Sequence, residues 1–522
     1  MTPDDPPSAA AFLDPPAAAA AVARDGDRPP LLRPGRTCWR VAEAGRAAFL
    51  LDSAAYFAAA REAMLRARRS ILLLGWDFDP RTRLRPGAEG DGPAPDLPDE
   101  IGPFLVALAA RKPDLDVRVL IWDMPMLIAG GRDLSPRKEP EWFADTPVRF
   151  RLARAPLGAC HHQKLLAVDG RVAFCGGGDF ATNRWDTPRH PDRDPRRREP
   201  SGEEHEPRHE VMALVDGEAA AALDAVARER WREAAGGDDR GGHPPESPPS
   251  PEAGADAWPG SVRPDLDGAP RVGVVCTKPE WAGGSPARDG EALHLAAIAA
   301  ARRFLYLENQ YFASPLVADA LAARLAEPDG PEIVLVVSER SPSFFDGLAM
   351  DGPRDRLVAR LRAADRHGRF RAFAPRTPGG RTVIVHSKVA VVDDRLLRIG
   401  SANLNNRSGG YDTECDLAVE APDGPEGARV RDAIRRFRER LVGHYIGVDG
   451  AAFAAAVERA GGLARAVEAL DGASGAPRRL PELAPDGRLG PLRWAVARLH
   501  LFDPHGVRDA WRPWRRRRAL AA

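Results

Sequence analysis

Paired cysteines are missing from this chain. Its five cysteines, Cys38, Cys160, Cys175, Cys276 and Cys415, are scattered and never form a Cys-x-x-Cys pair, which argues against a disulfide framework and for a reducing compartment. An excess of positive charge is missing too. Lys+Arg and Asp+Glu both number 75, for a formal net charge of zero, whereas a dedicated nucleic-acid binder is usually basic; nucleic acid is therefore not the expected partner. No run approaches the ~18 consecutive apolar residues of a transmembrane helix, so any contact with a bilayer is expected from its surface. Residues 1–30 carry no basic n-region and are broken by prolines, which makes a poor secretory signal. The expected location is cytoplasmic, peripheral to the inner membrane surface where membrane is involved.

What is present reads as a duplicated globular protein. The 522 residues are 43% hydrophobic and 29% charged, ordinary for a soluble fold. Residues 1–30 are Ala/Pro/Asp-rich and read as a disordered lead-in. Residues 236–262 are Pro/Gly-rich and read as a linker between a first lobe, 31–235, and a second, 263–447. A further Pro/Arg/Asp-rich stretch, 186–208, reads as a loop over the site. YFAAAREAMLRARRSILLLGWDF (56–78) parallels EALHLAAIAAARRFLYLENQYFA (291–313), each a helical periodicity running through Ala-Arg-Arg into a buried strand. DVRVLIWD (116–123) matches EIVLVVSE (332–339), and VRFRLA (148–153) matches FRAFAP (370–375). Strands alternating with helices imply an α/β fold. The expectation is two homologous lobes, each a mixed β-sheet flanked by helices, packed about a pseudo-two-fold axis around one shared active site. Residues 448–522 fall outside the repeat; they contain an Ala-rich helix over 450–470 and a tail with Trp511, Trp514 and Arg515–Arg518. That tail suits an anionic membrane surface, at ~1 kcal/mol per basic group, or is simply solvated.

The most specific repeat is a short cassette. His162-Gln163-Lys164, four residues, Asp169, six residues and Gly176-Gly177-Gly178-Asp179 is echoed by His386-Ser387-Lys388, four residues, Asp393, six residues and Gly400-Ser401-Ala402-Asn403. Strand alternation would put each His and its Lys on one face. Facing half-sites would surround one phosphate with two imidazoles and two ammonium groups, with Ser401 and Asn403 donating hydrogen bonds to it. Imidazole titrates near neutrality, so one His can attack phosphorus while the other, protonated, serves the leaving alkoxide. The lysines supply positive charge, and neither a metal nor another cofactor is expected. A catalytic His usually has an orienting carboxylate on its other nitrogen. Glu210 and Glu414, at corresponding positions after the two cassettes, are expected to fill this role, without an assignment of which Glu serves which His.

The cassettes resemble the duplicated H-x-K-x4-D motif of the phospholipase D superfamily, and the likeness covers roughly residues 33–447. HHQKLLAVDGRVAFCGGGDFATNRWD is similar to the first motif of the phosphatidylcholine-cleaving members, VHSKVAVVDDRLLRIGSANLNNRS to their second, and LENQYF to a further segment. The resemblance implies His162 as nucleophile, His386 as general acid/base and Lys164 and Lys388 as phosphate ligands. It implies a structural, salt-bridge role for Asp169 and Asp393, and a structural one for Asp179. The implied activity is cleavage or exchange of a phospholipid head group at a membrane surface, with water or an alcohol as acceptor, by a monomer. Cardiolipin or phosphatidylserine synthesis, nuclease-type phosphodiesterase activity and a membrane-associated scaffold are the alternatives. Gly177 and Asp179 depart from the Ser and Asn of the general pattern, as lipid-cleaving members do.

Other polar residues read less specifically. His190, His205 and His209, with Glu203 and Glu204, match no standard metal-ligand spacing and read as a solvated polar loop. His161 should point away from the site. Trp76, Asp77, Trp122, Asp123, Glu308, Asn309 and Gln310 end their strands, where they either line the pocket mouth or pack.

Overall fold

The computed structural model describes residues 28–88, 96–125, 138–235, 256–343, 346–473, 478–484, 502–507 and 510. The N-terminal lead-in up to residue 27, most of the 236–262 linker and the Trp/Arg tail lie outside these. Ser70–Gly75 (SILLLG) is buried at every position, and Asp116–Trp122 (DVRVLIW) and Glu332–Val337 (EIVLVV) at all but the first. Such short, β-branched, non-alternating runs form strands covered on both faces.

Two large sheets result, one per half, joined by a two-stranded parallel pair of Arg208–His209 with Ile384–Val385, and both halves are α/β. The first has eight strands in the order Leu266–Asp267, Arg46–Leu51, Val211–Asp216, Val172–Gly176, Leu165–Val168, Ser70–Gly75, Asp116–Trp122, Arg149–Ala153. The second runs Arg40–Glu43, Arg271–Lys278, Glu414–Glu420, Leu396–Gly400, Lys388–Val392, Phe304–Asn309, Glu332–Val337, Phe370–Phe373, with Ala287–Arg288 added beside Arg271–Lys278. Along both paths the pairings are antiparallel until the last three strands, which are parallel. The first strand of each path comes from the other half. Arg40–Glu43 joins the second sheet through Arg271–Lys278, and Leu266–Asp267 joins the first through Arg46–Leu51. The halves have exchanged edge strands, so each covers an edge that would otherwise expose unpaired backbone groups.

Three apolar layers follow. One packs helices Asp52–Arg66 and Ile101–Arg111 against the first sheet, and another packs Asp289–Ala300, Pro315–Ala326 and Gly352–Ala364 against the second. Between the sheets lies a shared core containing helices Gly217–Ala235 and Gly424–Ile446, where Phe49 of the first half meets Phe437 of the second at 5.1 Å. Fully burying side chains of this size contributes ~1.5–3 kcal/mol each, so the two halves share one core. The expected 450–470 helix is two, Gly450–Ala460 and Leu463–Leu470, divided by Gly461, whose φ of +66° closes the first. Phe453, Leu463 and Val467 seal them onto the shared core. Among the described residues no helix is long and apolar enough to cross a membrane, and all five cysteines are free.

Candidate active site

Each cassette enters its sheet through a two-residue hairpin. Asp169 and Gly170, and in the other half Asp393 and Asp394, all have positive φ, between +54° and +64°; the loops close through Arg171 N–H on Val168 O (2.9 Å) and Arg395 N–H on Val392 O (2.8 Å). Two left-handed residues match the right-handed twist of the strands, and Asp tolerates that conformation. The Asp169 carboxylate accepts backbone N–H groups of Arg68, Arg69 and Ser70 at 2.8–2.9 Å. Asp393 accepts those of Arg302, Arg303 and Phe304 at the same distances. The expected side-chain salt bridges are replaced by these amide contacts: both carboxylates are buried at a helix-to-strand corner whose N–H groups have no ladder partner.

His162 and Lys164 do not lie within a strand, contrary to the alternation argument. The strand begins at Leu165, and in the second half His386 and Ser387 separate Ile384–Val385 from Lys388–Val392. The reason is that both segments pair across the halves. His162 N–H donates to Thr413 O (3.0 Å) and His386 N–H to His209 O (2.9 Å). These crossings bring the two predicted glutamates to the histidines in a crossed arrangement. His162 Nδ1 lies 2.9 Å from Glu414, and His386 Nδ1 lies 2.6 Å from Glu210. Each imidazole is thus held by a carboxylate from the other half, and Nε2 is left for chemistry.

The two half-sites differ in what surrounds these pairs. Ser401 donates to Glu414 at 2.6 Å, as does Ser408, so Ser401 is committed to the carboxylate and is not a free phosphate donor. At Gly177, the equivalent position, a Cβ would stand 2.7 Å from Glu210 Oε2 and 2.8 Å from the His386 carbonyl oxygen, so only glycine fits. Asp179 accepts Trp76 N–H at 2.9 Å and pairs with Lys164 Nζ at 3.4 Å. Asn403 stands opposite it, with its backbone N–H on Ser408 Oγ (3.0 Å). Lys388 reaches Gln310 Oε1 (3.2 Å) and the His386 carbonyl oxygen. One lysine therefore sits beside a carboxylate and the other between neutral acceptors. Burial, opposed in part by Glu210, lowers Lys388 to about 7.

Burial also lowers both imidazoles below their ordinary range, reinforced by Lys164 and Lys388 at His162 and by Lys388 and Arg208 at His386. It raises Glu210, and lifts Glu414 to about 7 against the donors Ser401 and Ser408. Burial favours the neutral groups, and an anionic phosphate favours the charged imidazole and ammonium forms. Trp76 stacks on Trp122 at 5.7 Å and meets His162 edge-on at 6.3 Å, an aromatic wall beside one half-site. Asp77 pairs with Arg184 at 3.1 Å. Asn309 Oδ1 accepts Leu404 N–H at 3.1 Å, tying a strand end to the Gly400–Asn403 loop. Asp123 lies 4.0 Å from the exposed Arg154 guanidinium.

His161 is buried against Thr413, Arg154 O, Arg230 and Trp281. His190, His205 and His209 are not on a solvated loop: all three are buried. His209 bridges Asp52 Oδ1 (2.8 Å) and Glu308 Oε1 (2.9 Å), and Glu308 also accepts from Tyr306, Tyr445 and Ser387. Burial disfavours the His209 charge, but the two carboxylates outweigh it and raise this imidazole to about 10. Ser408, Arg208 and Asp52 escaped the sequence reading because their relevance lies only in nonlocal contacts, which no spacing signals.

Comparison with known proteins agrees with this architecture. The family described as "Cardiolipin synthase, PLD-like domain" matches residues 295–439. Phospholipase D beta 2 of Arabidopsis thaliana is 24% identical over 496 residues, covering 69% of this chain and 52% of that protein. Phospholipase D A of Dictyostelium discoideum is 25% identical over 425 residues, covering 69% and 31%. The chain thus spans about half or less of the length of these curated relatives. The crystal structure of phosphatidylserine synthase from Haemophilus influenzae Rd KW20 superposes with a TM-score of 0.51 at 15% identity, covering 76% of this chain and 88% of that one; at that identity the likeness concerns the fold.

Proposed function

We propose that this chain, which belongs to the phospholipase D superfamily, is a phosphodiesterase and phosphatidyltransferase that cleaves or exchanges a phospholipid head group through a phosphohistidine. The observation that carries the reading is the crossed pair of His–Glu contacts, at 2.9 and 2.6 Å, each beside a buried lysine. Glu414 fixes His162 with Nε2 unprotonated, and Nε2 attacks phosphorus. The P–N bond forms as the bond to the head-group oxygen breaks, and that oxygen takes the proton from His386 Nε2. Water or an alcohol then attacks phosphorus and gives its proton to His386, and the P–N electrons return to His162. Lys164, Lys388 and Asn403 hold the nonbridging oxygens; loss of one such donor typically costs ~3 kcal/mol. Water as acceptor yields phosphatidic acid. An alcohol yields a new phosphatidyl ester, which includes cardiolipin- or phosphatidylserine-type products. Trp76 and Trp122 offer an apolar wall to the lipid side of the substrate.

The test is incubation with mixed phospholipid vesicles and ethanol, read by mass spectrometry. Phosphatidylethanol formed by the wild type and absent with His162→Ala is the expected result. Degradation of DNA without release of any head group would replace this reading by the nuclease one.

A further inference from the structure

We infer that Asp52, His190, His209 and His444 form a second, buried site for one divalent transition ion of the zinc class, behind the cassette of the second half. One potential ligand atom from each of the four lies within 4.8 Å of the others. They come from distant places: the first residue of helix Asp52–Arg66, the 186–208 segment, the strand Arg208–His209 and the last turn of helix Gly424–Ile446.

The hydrogen bonds around the cluster leave a set of acceptors facing inward. His190 Nδ1 lies 3.0 Å from Asp186 Oδ2, which Arg197 holds at 3.2 Å. His444 Nδ1 meets the Leu441 carbonyl oxygen. A carboxylate and a carbonyl can only accept, so Nδ1 of each ring carries a proton and Nε2 is the nitrogen that faces the cluster. Holding the far nitrogen in this way is how metal-ligating histidines are oriented. Asp52 Oδ1 accepts from His209 Nδ1 (2.8 Å) and from the Glu210 backbone N–H (3.1 Å). Its Oδ2 stands 3.7 Å from His190 Nε2. Asp52 Oδ2, His190 Nε2 and His444 Nε2 are all buried without a hydrogen-bond partner. Three buried polar atoms without a partner are costly to maintain, and a cation held among them satisfies all three.

The fourth ligand is the remaining member of the cluster, His209. Asp186 and Arg197 cancel, which leaves Asp52 and Glu308 with the His209 imidazolium between them. An entering divalent ion neutralises both carboxylates. His209, whose Nδ1 already stands 2.8 Å from Asp52 Oδ1, completes the set. Three imidazoles and a carboxylate in tetrahedral array suit zinc. At Zn–N distances of about 2.0–2.1 Å the ligand atoms stand roughly 3.3 Å apart, so the cluster contracts modestly on binding. The ion would tie a helix of the first half to one of the second. Through Glu308 it would brace Ser387, between His386 and Lys388. Its role is structural, and it does not depend on the reaction proposed above.

The experiment uses the full chain without a histidine tag, stripped by chelator and titrated with zinc chloride or cobalt(II) chloride. About one ion bound per chain, visible cobalt bands of tetrahedral ligation, and at least ~10²-fold weaker binding in folded His190→Gln or His444→Gln are expected. No uptake by the wild type at micromolar zinc overturns the site. So does uptake that is equal in the wild type and in both variants. Should the variants not fold, the wild-type cobalt spectrum decides the matter alone.

Discussion

Glu414 and His162 meet at 2.9 Å across the boundary between the halves, 252 residues apart in the chain. Glu210 and His386 make the reciprocal contact at 2.6 Å. Neither half holds both members of a pair, so the chemistry proposed for the site belongs to the interface.

Glu414→Gln and Glu210→Gln should each lower kcat by roughly 10²–10⁴-fold with little change in KM, because an amide no longer fixes the reactive tautomer. Steady-state release of head group checks this. Either variant within threefold of the wild type would remove the orienting role from that glutamate.

Gly177→Ala should displace Glu210 or the His386 backbone and reduce kcat by at least ~10²-fold, since a small misplacement of catalytic groups has this effect. The added Cβ falls 2.7 Å from Glu210 Oε2 and 2.8 Å from the His386 carbonyl oxygen. Ala402→Gly, at the next position of the other half's loop, should be nearly silent in kcat, and comparing the two separates a local clash from general loop sensitivity.

Asp393→Ala should destabilise the protein by about 1–3 kcal/mol or more, measured by denaturant unfolding, because three backbone N–H groups lose their acceptor. Asp393→Asn, which keeps an acceptor oxygen and tolerates the φ of +54°, should recover part of that loss. Equal stability of the Ala variant and the wild type would contradict the assignment.

Lys388 gives a pH signature. Its folded value of about 7 lies below the ordinary 10.5, so the free enzyme loses this charge as pH rises through about 7, and the basic limb of kcat/KM should fall there. Lys388→Arg, whose guanidinium stays charged, should move that limb upward by at least ~1 unit. Between about 7 and 10.5 the unfolded chain binds the proton that the native state lacks, so this residue makes stability rise with pH across that window. The thermal midpoint of Lys388→Met should therefore exceed the wild type by more at pH 6 than at pH 10.

The repeat, the α/β class and the cassettes were legible in the sequence because they are local: strand runs, helical periodicity and His-x-Lys spacing all sit within short windows. The crossed pairing of Glu210 and Glu414 was not, since each glutamate follows its own cassette in the chain and only the docking of the halves decides between partners. Ser401 looked like a phosphate donor because a hydroxyl does not announce its acceptor, which is Glu414. Asp169 and Asp393 were expected in ion pairs, but the structure gives them the N–H groups of a helix-to-strand corner. His190 and His209 looked solvated because their neighbours in sequence are charged and proline-rich; their partners Asp52, Glu308 and His444 lie far away in the chain.

The exchanged edge strands have a consequence for folding during synthesis. When a nascent chain has emerged as far as residue 235, it holds the central strands of the first sheet, but the edge strand Leu266–Asp267 has yet to arrive. Its own Arg40–Glu43 waits for Arg271–Lys278. His162 and Lys164 are then already made, yet the carboxylate that aims His162 is synthesised only at residue 414. Completion of the first half and the start of activity are both timed by translation of the second.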